Sequence, residues 1–244
     1  MHDDIIALLP QAAALARPPV SNFKVGAIAR GASGKLYFGT NLEFAGEALS
    51  FTVHAEQSAV VNAWMSGETG IDVVATSAAP CGYCRQFLNE LATAADLTVI
   101  MPGEQRKLSE LLPSSFGPRD LGIEGGLLQR DDHGLTIDEH DTLATAAVAA
   151  ANMSYAPYSK SYAGVAIRTA GGAIISGAYA ENAAFNPSLS PLQAALSQLN
   201  LRGWEDVTEC VLVGVDSLHH NATRVVLEAV SDAPLRTIEA RNSA

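Results

Sequence analysis

Apolar positions recur along the chain with two periods, and the switches between them outline its elements. Residues 3–16 set Ile5, Ile6, Leu8, Leu9, Ala12 and Leu15 at helical spacing. Pro10 lies inside that run and predicts a bend or a later start, and Arg17-Pro18-Pro19 ends it. Phe23 to Arg30 and Lys35 to Asn41 read as two strands joined by Gly31-Ala32-Ser33-Gly34, a hairpin. After a loop, Ala59, Val60, Ala63 and Trp64 predict a helix over 54–66. Val73 to Ser77 predicts a buried strand, Phe87, Leu88, Leu91 and Ala95 a helix opening at Cys81, and Leu97 to Met101 a further strand. Helix, two strands, then helix–strand–helix–strand argues for a mixed sheet with helices on its faces. Prolines and glycines break regular structure over 113–134, where Phe116 and Leu121 predict a connection packed against something.

The second half repeats the first. Val25-Gly26-Ala27-Ile28 is answered by Gly164-Val165-Ala166-Ile167, Asn41 and Phe44 by Asn182 and Phe185, and Gln57 and Ala59 by Gln193 and Ala195. From Val73 onward a constant shift pairs Val73 with Val211, Glu90 with Glu228 and Leu97 with Leu235, which points to one unit copied. The expected fold class is α/β: two tandem three-layer α/β/α domains with mixed sheets, the second a degenerate copy. The expected boundaries are 1–112 for a catalytic domain, 113–135 for a linker contributing to the pocket, and 136–244 for the copy.

Composition narrows the partners. Hydrophobic residues make up 48% and charged residues 17% of 244, enough for a sizeable core. A net charge of −11 opposes a grip on phosphate backbones, so no nucleic-acid partner is expected. Three cysteines fit a reducing cytoplasm better than a disulfide scaffold. The start has no basic region ahead of its short apolar run, and no apolar stretch approaches the ~20 residues that span a bilayer, so neither a secretory signal nor a membrane partner is expected.

The chemistry gathers at His54-Ala55-Glu56 and Pro80-Cys81-Gly82-Tyr83-Cys84. One imidazole and two thiolates make three zinc ligands, and a catalytic zinc leaves its fourth position to water. Cysteines three apart on a first helical turn share a face. Glu56 is placed to move protons without being a ligand, first as base and then as acid. Cys-x-x-Cys also occurs as a redox pair or as half of a structural zinc site, but a structural site takes four protein ligands, and the one remaining cysteine, Cys210, lies far along the chain. In the copy His54 falls on Ser190, Glu56 on Leu192, Cys81 on His219, Cys84 on Ala222 and Glu43 on Ala184, so one Zn2+ per chain is expected. His219 and His220 then read as surface or core histidines, and Cys210 as a small packed side chain.

His-x-Glu followed by Pro-Cys-x-x-Cys is the known signature of zinc-dependent nucleobase deaminases. With Ser21 to Arg30, Asn41-Leu42-Glu43-Phe44, His54 to Ala59, Pro80 to Phe87 and Phe116 to Leu121, the chain resembles the two-domain, homodimeric cytidine deaminases over nearly its whole length. The resemblance implies hydrolytic deamination of cytidine and 2′-deoxycytidine to uridine and 2′-deoxyuridine with release of ammonia, in pyrimidine salvage. It implies Phe23 against the pyrimidine ring, Asn41 and Glu43 on the ribose 3′-hydroxyl, the Ala55 backbone on the base, and Phe116 closing the pocket across a homodimer. Without it, Phe23 reads as a core strand residue and Phe116 as a loop anchor. Longer members carry an extra helical segment ahead of the first strand, and this chain starts inside it. Competing readings are a deaminase for another small aminopyrimidine, such as a blasticidin-type nucleoside, a non-catalytic zinc module for assembly, and polynucleotide editing.

Overall fold

The computed structural model describes residues 3–129 and 131–242. The chain divides into two compact units. The first holds the described residues up to Glu43, then Thr52–Gln129 and Asn182–Ser188. The second holds Phe44–Phe51, the described residues from 131 to Glu181, and those from Leu189 onward. Each half of the chain therefore lends one short loop to the other half's unit. No pattern of apolar positions had indicated this exchange.

In the first unit α1 (Asp3–Ala14) leads to the hairpin of β1 (Gly26–Gly31) and β2 (Leu36–Thr40). Then follow α2 (Ala55–Met65), β3 (Ile71–Thr76), α3 (Gly82–Leu88), β4 (Thr98–Met101), β5 (Glu104–Lys107) and the short α4 (Leu108–Leu111). The sheet order is β2-β1-β3-β4-β5, with only β3 and β4 parallel, so it is mixed as expected. A parallel pair needs a crossover, and α3 supplies it. Pro10 does not interrupt α1; it lies on the exposed side, opposite the buried stripe Ile5, Leu9 and Ala12.

Two glycines show why the helices lie on opposite faces. A Cβ at Gly26 would sit 2.4 Å from Ala13 N in α1, and one at Gly39 would sit 2.2 Å from Ala59 N in α2. Gly26 pairs with Thr40, and Gly39 with Ala27. Neighbouring residues of a strand face opposite ways, so α1 and α2 touch opposite faces of the hairpin. The result is a three-layer α/β/α stack.

The second unit contains β6 (Leu135–Thr136), α5 (Thr142–Asn152), β7 (Ala163–Thr169), β8 (Ile174–Ala178), α6 (Pro191–Leu201), β9 (Val207–Gly214), α7 (His220–Glu228), β10 (Leu235–Glu239) and β11 (Arg241–Asn242). Its main sheet runs β10-β9-β7-β8, and β6 pairs with β11 separately. A Cβ at Gly164 would sit 2.2 Å from Ala151 N of α5, and one at Gly177 would sit 2.3 Å from Ala195 N of α6, repeating the two close approaches of the first unit.

Much of the core repeats. Ile5, Leu9, Ile28, Val73, Ala75 and Ile100 correspond to Leu143, Ala147, Ala166, Val211, Val213 and Ile238, all at a shift of 138. That shift corrects the sequence-based pairings at two places. Gly26 corresponds to Gly164, one residue off the expected register, because Gly26 pairs with Thr40 as Gly164 pairs with Ala178. Glu43 corresponds to Glu181 and not to Ala184, because Leu42 and Ala180 make the same bridges, to Arg17 and Val53 in one unit and to Tyr155 and Leu189 in the other. The matching Asn and Phe at 182 and 185 had drawn the alignment into the exchanged loop. Among the described residues no helix is long and apolar enough to cross a membrane.

Candidate active site

The site forms where α2 and α3 begin. His54 is the residue ahead of α2 (φ −80, ψ 156) and Cys81 the residue ahead of α3 (φ −70, ψ 168), both in extended backbone. Cys84 lies on the first turn of α3, facing back toward Cys81 as its spacing required.

His54 Nδ1 lies 3.6 Å from Cys81 Sγ, and Cys81 Sγ lies 3.7 Å from Cys84 Sγ. Ordinary zinc–nitrogen and zinc–sulfur bonds at a tetrahedral angle give edges of about 3.6 Å and about 3.8 Å. The three donor atoms lie within 4.8 Å of one another, and no other such group of His, Cys, Asp or Glu gathers among the described residues. One imidazole and two sulfurs fit zinc and leave a coordination position open.

Glu56 is 4% exposed, and its Oε2 accepts from the Cys84 thiol at 3.2 Å. Burial pushes its carboxyl up from the ordinary carboxylate range, against its own N–H and the Cys84 thiol. The hydrogen bond with Cys84, together with that from His54, holds Cys81 down to about 3, whereas Cys84, bonded to Cys81 and buried beside Glu56, is pushed well above an ordinary thiol. The bond with Cys81 raises His54 in spite of its burial.

A cavity of about 270 Å³ opens beside these groups. Its walls include Phe23, Asn41, Glu43, His54, Ala55, Glu56 and Cys81, seven of the nine residues singled out from the sequence, with Cys84 buried close behind. Phe23 is not in a strand: β1 starts only at Gly26, and Phe23 is 62% exposed. Glu43 is the reason. Its Oε2 accepts the Val20 and Ser21 N–H groups at 2.9 Å and its Oε1 accepts the Ser21 hydroxyl at 2.6 Å, so the chain turns before Phe23. Burial pushes the Glu43 carboxyl up, but the Ser21 hydroxyl and these N–H groups outweigh it and hold it low. Asn41 continues the clamp, its Nδ2 donating to Phe23 O and its Oδ1 accepting from Val25 N, both at 2.9 Å.

Phe116 is not among the cavity's lining residues. Phe116 is 47% exposed and Leu121 44%, so this stretch does not bury the aromatic as an anchor. Its carbonyl accepts from Gln86 Nε2 at 2.8 Å and Asn89 Nδ2 at 3.1 Å.

Two residues with no role assigned from the sequence touch His54. Gln57 Oε1 accepts the His54 N–H at 3.1 Å, and the Tyr83 ring stacks on the imidazole with centroids 5.5 Å apart. The signal for Gln57 was its repetition as Gln193 in a copy that keeps neither His54 nor Glu56.

The second unit keeps the clamp without the chemistry. Glu181 accepts from Tyr158 N and Ser159 N as Glu43 does from Val20 and Ser21. The position of Phe23 holds buried Ser161, that of Asn41 holds Tyr179, and that of Cys81 holds His219. Tyr179 and His219 pack ring to ring at 4.2 Å, and His219 Nε2 bonds Ser161 O, so the histidine is a core group, its pKa lowered by burial. Cys210 is buried likewise, its thiol pushed up to about 12.

The chain matches known proteins along its length. Two family models, each described as the cytidine and deoxycytidylate deaminase zinc-binding region, match residues 1–101 and 108–224. A cytidine deaminase of Photobacterium profundum is 51% identical over 242 residues, spanning 96% of this chain and 82% of that protein. One from Cronobacter sakazakii is 48% identical over 246 residues, spanning 98% and 83%. Among solved structures, a cytidine deaminase from Burkholderia pseudomallei aligns at 32% identity with a TM-score of 0.43, covering 48% of this chain and 99% of that one. With a zinc-type ligand set and relatives of this identity over almost its whole length, the chain belongs to the cytidine deaminase family.

Proposed function

We propose that this chain deaminates cytidine and 2′-deoxycytidine hydrolytically, with His54, Cys81 and Cys84 holding one zinc and Glu56 moving the protons. Zinc held there supplies the Lewis acidity that makes water nucleophilic near neutral pH. Glu56 takes a proton from the attacking water and delivers it to N3 of the cytosine ring, which makes C4 electrophilic. Oxygen bonds to C4, the C4–N4 bond breaks, and Glu56 carries the second water proton to the departing amine. Water and an aminopyrimidine thus become a uracil nucleoside and ammonia, and Glu56 ends as it began.

The rest of the cavity binds. Phe23 offers an exposed aromatic face to a flat base. Asn41 and Glu43 keep unused lone pairs for a sugar hydroxyl beside the backbone they clamp, and the Ala55 backbone meets the base. The observation that carries this reading is the placement of buried Glu56 on the same cavity wall as His54 and Cys81. A structural zinc site has no use for such a carboxylate. Exposed Val20, Phe23, Phe116, Leu121 and Phe185 on the first unit support a homodimer whose partner covers them, Phe116 then closing a pocket across the interface. Unpaired cysteines support a reducing cytoplasm, and the products suit pyrimidine salvage.

Glu56→Gln tests the assignment. The variant is expected to keep its zinc and its thermal midpoint while ammonia release from cytidine falls by about 10²–10⁴-fold. Undiminished turnover would refute the role of Glu56. Faster turnover of a blasticidin-type nucleoside than of cytidine by the unaltered protein would replace the substrate.

A further inference from the structure

We propose that Gln57 and Tyr83 are positioning residues that tie the metal ligand His54 to Asn182–Ser188, the loop the second half lends to the first unit. This rests on His54 being a zinc ligand. Gln57 is 1% exposed and uses both ends of its amide. Its Oε1 accepts the His54 N–H at 3.1 Å, and its Nε2 donates to Pro187 O at 3.2 Å. Tyr83 makes the second tie: its ring stacks on the His54 imidazole while its hydroxyl donates to Asn186 O. Backbone and ring of one ligand are thus fixed by two side chains that both end on adjacent carbonyls of the same loop.

The loop is itself anchored. Asn182 Nδ2 donates to Gln86 O at 3.1 Å, and buried Glu90 accepts Ala183 N at 2.9 Å. Phe185 within it holds φ at 59°, a conformation that persists in a bulky residue only where its surroundings over-determine it. A loop so held is a rigid base for a ligand. Groups behind the ligands of a metal site set ligand orientation, and losing one typically costs about 10- to 100-fold in metal affinity.

The plain alternative is that Gln57 merely caps α2. The second unit supplies the control. Gln193 accepts the Ser190 N–H at 3.0 Å and donates to Phe51 O at 2.7 Å, the same two bonds to the same kind of exchanged loop, at a helix whose first residues hold no metal. A helix-capping role predicts equal consequences at Gln57 and Gln193; a ligand-positioning role predicts different ones.

The experiment compares Gln57→Leu, Gln193→Leu and Tyr83→Phe with the unaltered protein. Zinc release is timed with a chromophoric chelator, and the visible spectrum is recorded after replacement by cobalt(II). Gln57→Leu is expected to release zinc roughly tenfold faster and to shift the cobalt bands. Tyr83→Phe, which keeps the ring stack and folds without a cavity, is expected to speed release several-fold. Gln193→Leu is expected to lower the thermal midpoint while leaving release and spectrum unchanged. Equal release rates for the two leucine variants, or a Tyr83→Phe rate matching the unaltered protein, would overturn the proposal; should Gln57→Leu not fold, Tyr83→Phe decides. An unaltered protein that binds no zinc would instead remove the ligand assignment beneath it.

Discussion

Gly39→Ala separates damage to the fold from damage to the site. The new Cβ would lie 2.2 Å from Ala59 N and 2.3 Å from Ala55 O, both backbone atoms of α2. Ordinary contact needs about 3.4 Å or more, so α2 must retreat from the sheet by about 1 Å. No flexible side chain can yield instead. Overpacking of this kind costs roughly 1–3 kcal/mol. The helix that moves begins at Ala55 and carries Glu56 on its first turn, with His54 immediately before it. A displacement of about 1 Å in a reacting group can lower turnover on the order of 10²-fold. Gly177→Ala repeats the collision in the second unit, at 2.3 Å from both Ala195 N and Pro191 O, against a helix with no reacting groups. Urea unfolding and cytidine turnover, read side by side, should show similar losses of stability for both variants and a loss of kcat for Gly39→Ala alone. Equal losses of kcat, or none in Gly39→Ala despite a matching loss of stability, would refute the link between α2's seat and the chemistry.

Two further predictions concern charge. Burial pushes Glu68 up, but bonds from the Ser33 hydroxyl, the Thr69 N–H, the Tyr37 hydroxyl and the Ser33 N–H outweigh it, so its folded pKa lies below the ordinary 4.5. A lowered carboxyl contributes stability above its unfolded pKa and loses it as pH falls through the folded one. Glu68→Gln should therefore be destabilised at pH 7, with the gap closing below about pH 4.5; a gap independent of pH in urea titrations contradicts this. The Arg30–Asp72 pair, at 2.8 Å and about half exposed on the aspartate, should matter little: Asp72→Asn is expected to change stability by less than about 1 kcal/mol by chemical denaturation.

The starts of the helices bearing the ligands were legible because His54 and Cys81 stand at the openings of apolar runs, but α3 ends at Leu88, so Leu91 and Ala95, read as part of the second run, lie beyond it. The predicted 54–66 helix is found at Ala55–Met65, though it is buried on nearly every face and its periodicity is weak. Strand β5, Glu104-Gln105-Arg106-Lys107, could not be seen, since a fully exposed edge strand shows no apolar alternation. Phe23 was misplaced because the apolar residues from Val25 onward suggest a strand that reaches back to it, whereas the fold of its backbone is set by a carboxylate 20 positions on. Hydropathy likewise does not record which half of a chain a loop packs against. The links from Gln57 and Tyr83 to Pro187 and Asn186 span more than 100 residues and needed coordinates. What the sequence did carry was the contrast between halves: a copy that keeps Gln193 and loses His54 and Glu56 already separates scaffold from chemistry.

A ligand set confined to the first unit calls for one zinc per chain in turnover. Chelator-stripped protein titrated with zinc, with cytidine conversion measured at each addition, tests it most directly. Activity should start from essentially none, rise linearly and break at one zinc per chain. A break at two, or full activity before any zinc is added, would contradict the account.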